Sequence, residues 1–253
     1  MKVFITGASS GLGAALAEHY AGRGESLGLL ARRGDTLEEL AGRLNVPCAI
    51  YAADVGDADA MTRIAGDYCA KHGVPDIVIA NAGVSSGTIV GIPADLAVLE
   101  RILRTNVLGL AATLAPFAAP MRERGSGTLA GIASVAGIRG LPGSGAYCAS
   151  KSAAITWLES LRLELAGSGV RVVTVCPGYV ETPMTSVNRF PMPFMIGADD
   201  AARRIARAID RGARYTVVPW PMRIVASALG LLPAWLYDRV FDGAPRKPRN
   251  LPL

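Results

Sequence analysis

Short apolar runs alternate with longer helix-period segments along most of the chain. The runs at 2–6, 26–31, 48–53, 77–80, 127–132, 170–176 and 214–218 are rich in Val, Ile, Leu and Ala and read as strands. The stretches at 14–22, 36–44, 58–71, 96–121 and 146–166 carry amphipathic helical spacing. Strands separated by helices predict right-handed βαβ units. The expected fold class is therefore α/β: a doubly wound parallel sheet of about seven strands with helices on both faces.

Two segments interrupt the alternation. Residues 188–196 (NRFPMPFMI) mix prolines with aromatics and predict an apolar loop. Residues 217–236 are apolar but contain Arg223 and three prolines, Pro219, Pro221 and Pro233. A membrane span needs roughly 20 predominantly apolar residues, so this segment predicts a helix packed on the core or on a subunit neighbour, with an interfacial membrane contact or a substrate-entry cap as the other readings. No linker, repeat or low-complexity tract divides the chain. It reads as one nucleotide-binding domain over 1–253, with a substrate loop at about 184–200 and an apolar extension at about 217–253.

Composition adds limits. Hydrophobic residues make up 51% and glycine is abundant at 29 residues, which suits buried strands joined by tight turns and excludes disorder. The net charge is +5, with basic residues scattered except for Arg246, Lys247 and Arg249 near the end. No basic-aromatic stripe is present, so nucleic acid is not an expected partner. The four cysteines, Cys48, Cys69, Cys148 and Cys176, form no CxxC pair. Neither a metal site nor a disulfide framework is expected, and they read as reduced thiols of a cytoplasmic protein. The sequence opens directly on the strand Val3-Phe4-Ile5, so no signal peptide is expected.

The first strand runs into Thr6-Gly7-Ala8-Ser9-Ser10-Gly11-Leu12-Gly13 and then a helix. Gly7 permits a tight turn, Gly11 lets backbone approach a pyrophosphate, and Gly13 lets helix and strand pack together. The helix N-terminus then presents free N–H groups to an anion. A glycine pattern in this strand–turn–helix context predicts a dinucleotide site of Rossmann type. The second strand ends at Ala31 and is followed by Arg32 and Arg33, where an NAD site usually carries an acidic residue. Two guanidinium groups suit a 2′-phosphate and favour NADP(H). Asp35 lies too far along to serve the ribose.

Tyr147 and Lys151 stand four residues apart in Tyr-Cys-Ala-Ser-Lys and share a helix face. A tyrosine with a pKa of about 10 is a poor base at neutral pH, and a neighbouring ammonium is expected to lower that pKa. Tyr147 could then exchange a proton with an alcohol or carbonyl oxygen. Ser134, at the end of an upstream strand, could hold the same oxygen.

With these motifs together, the chain resembles the short-chain dehydrogenase/reductase family in its single-domain form over about residues 2–184. TGASSGLG matches the family's TGxxxGxG turn. The resemblance implies that Asp54 and Val55 meet the adenine and that Asn81-Ala82-Gly83 steadies the sheet beside the cofactor. It further implies that the Asn106 carbonyl holds a proton-relay water for Lys151, and that Asn106, Ser134, Tyr147 and Lys151 form the catalytic tetrad. Pro177-Gly178 match the family's PG motif, where Val180 and Thr182 would meet the nicotinamide carboxamide. A homodimer or homotetramer built through helices 96–121 and 146–166 is also implied.

These expectations describe an NADP(H)-dependent carbonyl/alcohol oxidoreductase with Tyr147 as acid or base. Leu141, just before Tyr147, and the loop residues Phe190 and Phe194 are expected to line an apolar substrate pocket. A hydrophobic ketone, aldehyde or acyl-type substrate follows. An epimerase or dehydratase on the same fold, and a non-catalytic NADP(H)-sensing or scaffold protein, are the alternatives.

Overall fold

In the first strand, β1 (Lys2–Thr6), Val3 and Ile5 point to one face and Phe4 to the other, and all three are fully buried. A strand buried on both sides needs cover on both. The chain supplies it by alternation: α1 (Gly11–Ala21), β2 (Ser26–Ala31), α2 (Gly34–Arg43), β3 (Cys48–Ala52), α3 (Ala58–His72) and β4 (Ile77–Ala80). Leu16 and Tyr20 of α1 and Leu37 of α2 pack with Val3 and Ile5. Phe4 meets Tyr68 of α3 on the other face, with ring centroids 5.2 Å apart. The computed structural model describes residues 1–251 and 253.

After β4 come α4 (Asp95–Leu103), a π-turn (Arg104–Leu108) and α5 (Gly109–Arg124). β5 (Gly127–Ile132), α6 (Gly145–Glu164) and β6 (Val170–Pro177) follow. Next are β7 (Val180–Glu181), α7 (Pro183–Ser186), β8 (Ile196–Gly197), α8 (Ala198–Asp210), β9 (Tyr215–Val218), α9 (Trp220–Leu231) and α10 (Ala234–Phe241). The main sheet has seven strands in the order β3-β2-β1-β4-β5-β6-β9, all parallel. β1 is flanked by β2 and β4, with Ile5 opposite Leu29 on one side and Ile79 on the other. Chain direction across the sheet reverses there, so the carboxyl ends of β1 and β4 open onto the crevice where such sheets bind ligands.

The expected strands are present within a residue or two, and the seven-stranded Rossmann-like sheet is as expected. One predicted helix differs. Residues 96–121 do not continue as a regular helix but pass through the π-turn at 104–108, which holds Asn106. By length and composition Asp95–Arg124 could cross a membrane. Its inner residues Leu110, Leu114, Phe117 and Met121 are instead buried in the sheet-side core.

The apolar stretch 217–236 divides into β9, α9 and the start of α10, broken where Pro233 begins the last helix. Met222 joins the core with Ala133, Cys176 and Val217. Arg139 donates to the carbonyls of Leu229 and Leu232 at 3.2 and 2.9 Å and lies 4.2 Å above the Tyr237 ring. Tyr237 Oη donates to the Gly140 carbonyl at 2.6 Å. The extension is thus tied to the loop that precedes α6.

Candidate active site

The glycine turn leaves no room for side chains. Gly7 has φ +67°, and a Cβ there would lie 2.7 Å from the Ala82 backbone. A Cβ on Gly13 would come 2.6 Å from the Asn81 amide. Asn81 is the reason the turn is so close to β4: its Nδ2 donates to the carbonyls of Thr6 at 3.1 Å and Gly7 at 3.3 Å. The Thr6 hydroxyl accepts from the backbone N–H groups of Asn81 and Ala82. On the far side, a Cβ at Gly11 would lie 3.2 Å from Thr182.

One cleft of about 310 Å³ runs along these strand ends. It is lined by Gly7, Ser9, Ser10, Gly11, Leu12 and Gly13 at the turn, by Arg32, Arg33, Asp54 and Val55 at one end, and by Asn81, Ala82 and Gly83 beneath. Ser134, Tyr147, Lys151, Pro177, Gly178, Val180 and Thr182 line the other end. Residues as far apart in sequence as Gly7 and Thr182 therefore share one wall, as a dinucleotide spanning the crevice requires. Arg33 precedes α2 and its guanidinium donates to Ser9 Oγ at 3.3 Å. Arg32 donates to the Leu253 carbonyl at 3.0 Å. Both cations are exposed at the end of β2. These features fit a nicotinamide dinucleotide: bare glycines at a helix start that would admit a pyrophosphate, with two cations at the end of β2.

Asp54 does not cap α3; Asp57 does, accepting from Ala60 N at 2.9 Å. Asp54 instead turns onto Gly56 N at 2.8 Å. This closes the loop after β3 and leaves its carboxylate on the cleft wall.

At the reacting end, Lys151 is buried and donates to the Ile132 carbonyl at 2.9 Å. Its Nζ lies 5.7 Å from the centre of the Tyr147 ring. Ser134 sits where β5 ends, starts the short 3₁₀ turn 135–137 and accepts from Ala136 N at 3.1 Å. Asn106 lies behind the cleft rather than on its wall. Its side chain accepts from Val84 N at 2.8 Å and donates to Val84 O and Ser150 Oγ, both at 3.0 Å. A Cβ on Gly83 would lie 3.3 Å from Asn106 Oδ1 and 3.5 Å from Lys151 Nζ, so this glycine keeps the space between them open.

The expected depression of the Tyr147 pKa is not what the protein groups produce. Burial pushes the phenol up to about 12, and the Ser134 hydroxyl pulls back only part of that. Burial also lowers Lys151 to about 8. Desolvation outweighs attraction between the two because the ammonium sits over the ring and bonds a carbonyl, not the phenol oxygen.

The substrate-side residues are placed less closely. Phe190 packs edge-on against Tyr179 at 6.4 Å, Phe194 is exposed with φ 56°, and Leu141 is half-buried before α6. None of the three lines the cleft; Met184 and Thr185 do. Thr185 escaped sequence reasoning, although its hydroxyl bonds Val180 O at 2.6 Å and completes a capping box with Thr182. The threonine spacing at 182 and 185, across the start of a helix, was its only signal.

The short chain dehydrogenase family model matches residues 1–191. The chain belongs to the short-chain dehydrogenase family. An uncharacterized oxidoreductase of Myxococcus xanthus is 39% identical over 248 residues, covering 97% of this chain and 96% of that one. Among solved structures, a short-chain dehydrogenase from Sphingobium yanoikuyae in complex with NADPH superposes with a TM-score of 0.78 at 30% identity, covering 96% of this chain and 92% of that one. The alcohol dehydrogenase of Thermococcus sibiricus, complexed with 5-hydroxy-NADP, gives 0.75 at 25% identity, covering 86% and 95%. This short-chain dehydrogenase is accordingly an oxidoreductase.

Proposed function

We propose that the protein is an NADP(H)-dependent reductase of a hydrophobic ketone, aldehyde or acyl-type substrate, with Tyr147 as the general acid. The observation that carries this reading is the single cleft wall shared by the glycine turn, Arg32 and Arg33, and the Ser134–Tyr147–Lys151 group. When bound, the nicotinamide supplies the hydride. Ser134 and Tyr147 hold the carbonyl oxygen by hydrogen bonds that strengthen as it becomes negative. Tyr147, with its pKa at about 12, carries its proton throughout the neutral range and donates it to that oxygen. Lys151 orients the ribose and, with Asn106 behind it, returns a proton to the phenol. The protonated phenol is the form that donation to a carbonyl oxygen requires.

We also propose a homodimer or homotetramer in the cytoplasm. Leu96, Leu108 and Leu163 on α4, the π-turn and α6 are exposed and suit a contact between copies.

The test is an NADPH-oxidation screen over ketones, aldehydes, quinones and acyl thioesters, with NADH in parallel. Turnover with NADPH on at least one class is expected. Cofactor binding with no turnover on any class would overturn the catalytic reading in favour of a sensing or scaffold role.

A further inference from the structure

The chain beyond α10 doubles back over the loops that follow β4 and precede α6. Gly87 N donates to Pro248 O at 2.8 Å, and Leu251 N to Ser86 Oγ at 3.3 Å. Arg249 forks onto the buried carboxylate of Asp95, with Nε–Oδ2 at 2.9 Å and Nη2–Oδ1 at 2.7 Å. Bidentate pairs of this kind fix position as well as charge. A side chain at Gly87 would collide with the Lys247 and Pro248 carbonyls, and one at Gly143 would meet Arg246 Cβ at 2.7 Å. The strap is therefore seated between the loop after β4 and the loop that introduces Tyr147.

Lys247 lies in the middle of this strap. Its Nζ reaches Met184 O at 3.4 Å and Asn188 Oδ1 at 3.3 Å. Met184 lines the cleft and Lys247 does not, so the ammonium stands one residue behind the cleft wall, against the loop at 184–188. Both acceptors are neutral and both contacts are long. Among the described residues no carboxylate lies within 4.0 Å of it, whereas its strap neighbour Arg249 has one. Arg189 and Arg246, which flank these contacts in sequence, are exposed and carry the same charge. Lys247 is half-buried, and this partial loss of water pushes its pKa down. Taking an ammonium out of water is unfavourable unless something pairs it.

We propose that Lys247 anchors an anionic group, a carboxylate or a phosphate, borne by the substrate at the end remote from its carbonyl. The proposal rests on the reading of this cleft as a carbonyl-reducing site. It assigns the substrate an apolar body with a charged terminus.

Binding to the full chain with NADP⁺ separates the two ideas. Decanoate, decyl phosphate and decanol are titrated calorimetrically. The anions are expected to bind about tenfold more tightly than the alcohol, and whichever anion binds better identifies its source. Lys247→Met should erase the preference and Lys247→Arg should keep it. In NADPH oxidation, 9-oxodecanoate should show a lower KM than its methyl ester, with a similar kcat. Lys247→Met should remove that KM gap and leave the ester unchanged. Wild-type enzyme that does not prefer the anions, or a preference that survives Lys247→Met, overturns the anchor. A charge preference that depends on Lys247, with no carbonyl turned over, supports the anchor and sinks the reductase reading.

Discussion

The carboxamide of Asn106 donates to Ser150 Oγ at 3.0 Å, and Ser150 passes the bond on to the carbonyl of Tyr147 at 2.7 Å. Both side chains are fully buried. The pair ties the π-turn to the first turns of α6, the helix that carries Tyr147 and Lys151. Single π-turns inside helices recur at functional sites, and here the irregular turn turns Asn106 toward the Gly83–Val84 segment. Ser150→Ala removes one partner and leaves an amide hydrogen of Asn106 unpaired in the core. A loss of about 1–3 kcal/mol in unfolding free energy is expected from urea titration; an unchanged midpoint would show that the pair contributes nothing.

Tyr147→Phe deletes only the phenol oxygen. Turnover of any substrate found in the screen should fall by roughly 10²–10⁴-fold, while NADPH affinity, followed by cofactor fluorescence, stays at the wild-type value. Retained turnover would remove Tyr147 from the acid role.

The pH dependence follows from two burial effects of opposite sign. Tyr147 stays protonated to about 12, so it does not limit reduction near neutrality. Lys151 loses its charge as pH rises through about 8. Reduction measured as kcat/KM should therefore be level below that value and decline above it. Lys151→Arg should remove this decline, because a guanidinium keeps its charge across the range. Stability responds in the other direction. The folded Lys151 pKa lies below its ordinary value of about 10.5, so between the two the unfolded chain binds more protons. This group's contribution makes unfolding free energy rise with pH across that window.

Arg32 and Arg33 should decide between cofactors. Replacing both with Ala is expected to weaken NADPH binding by roughly tenfold to a hundredfold and to leave NADH binding nearly unchanged. Loss of both affinities in equal measure would assign the two arginines to folding of the β2–α2 turn, and a wild-type preference for NADH would remove the 2′-phosphate role.

Much of the fold and part of the site were legible in the sequence. Strand and helix periods, the glycine turn after β1, and the Tyr147–Lys151 spacing are set within a few residues by backbone geometry. The placement of Asp54 and Asp57 marks the limit of that legibility. Either could cap α3, and the local path of the chain after β3 gives the role to Asp57. The substrate-side aromatics were less legible still. Apolar composition identified the loop around Phe190 and Phe194, but not which of its side chains face the cleft.

What the sequence determined by itself is the class of fold and two local motifs, the glycine turn after β1 and the Tyr147–Lys151 spacing, because those follow from periodicity and short spacing. The tertiary structure decided three other things. It split the helix at 96–121 with a π-turn around Asn106. It raised the Tyr147 pKa instead of lowering it, because desolvation depends on every element packed around the phenol. And it carried Lys247 and Arg249 back to Asn188 and Asp95, contacts spanning 59 and 154 residues. No local rule links such positions; only closure of the sheet and its loops brings them together.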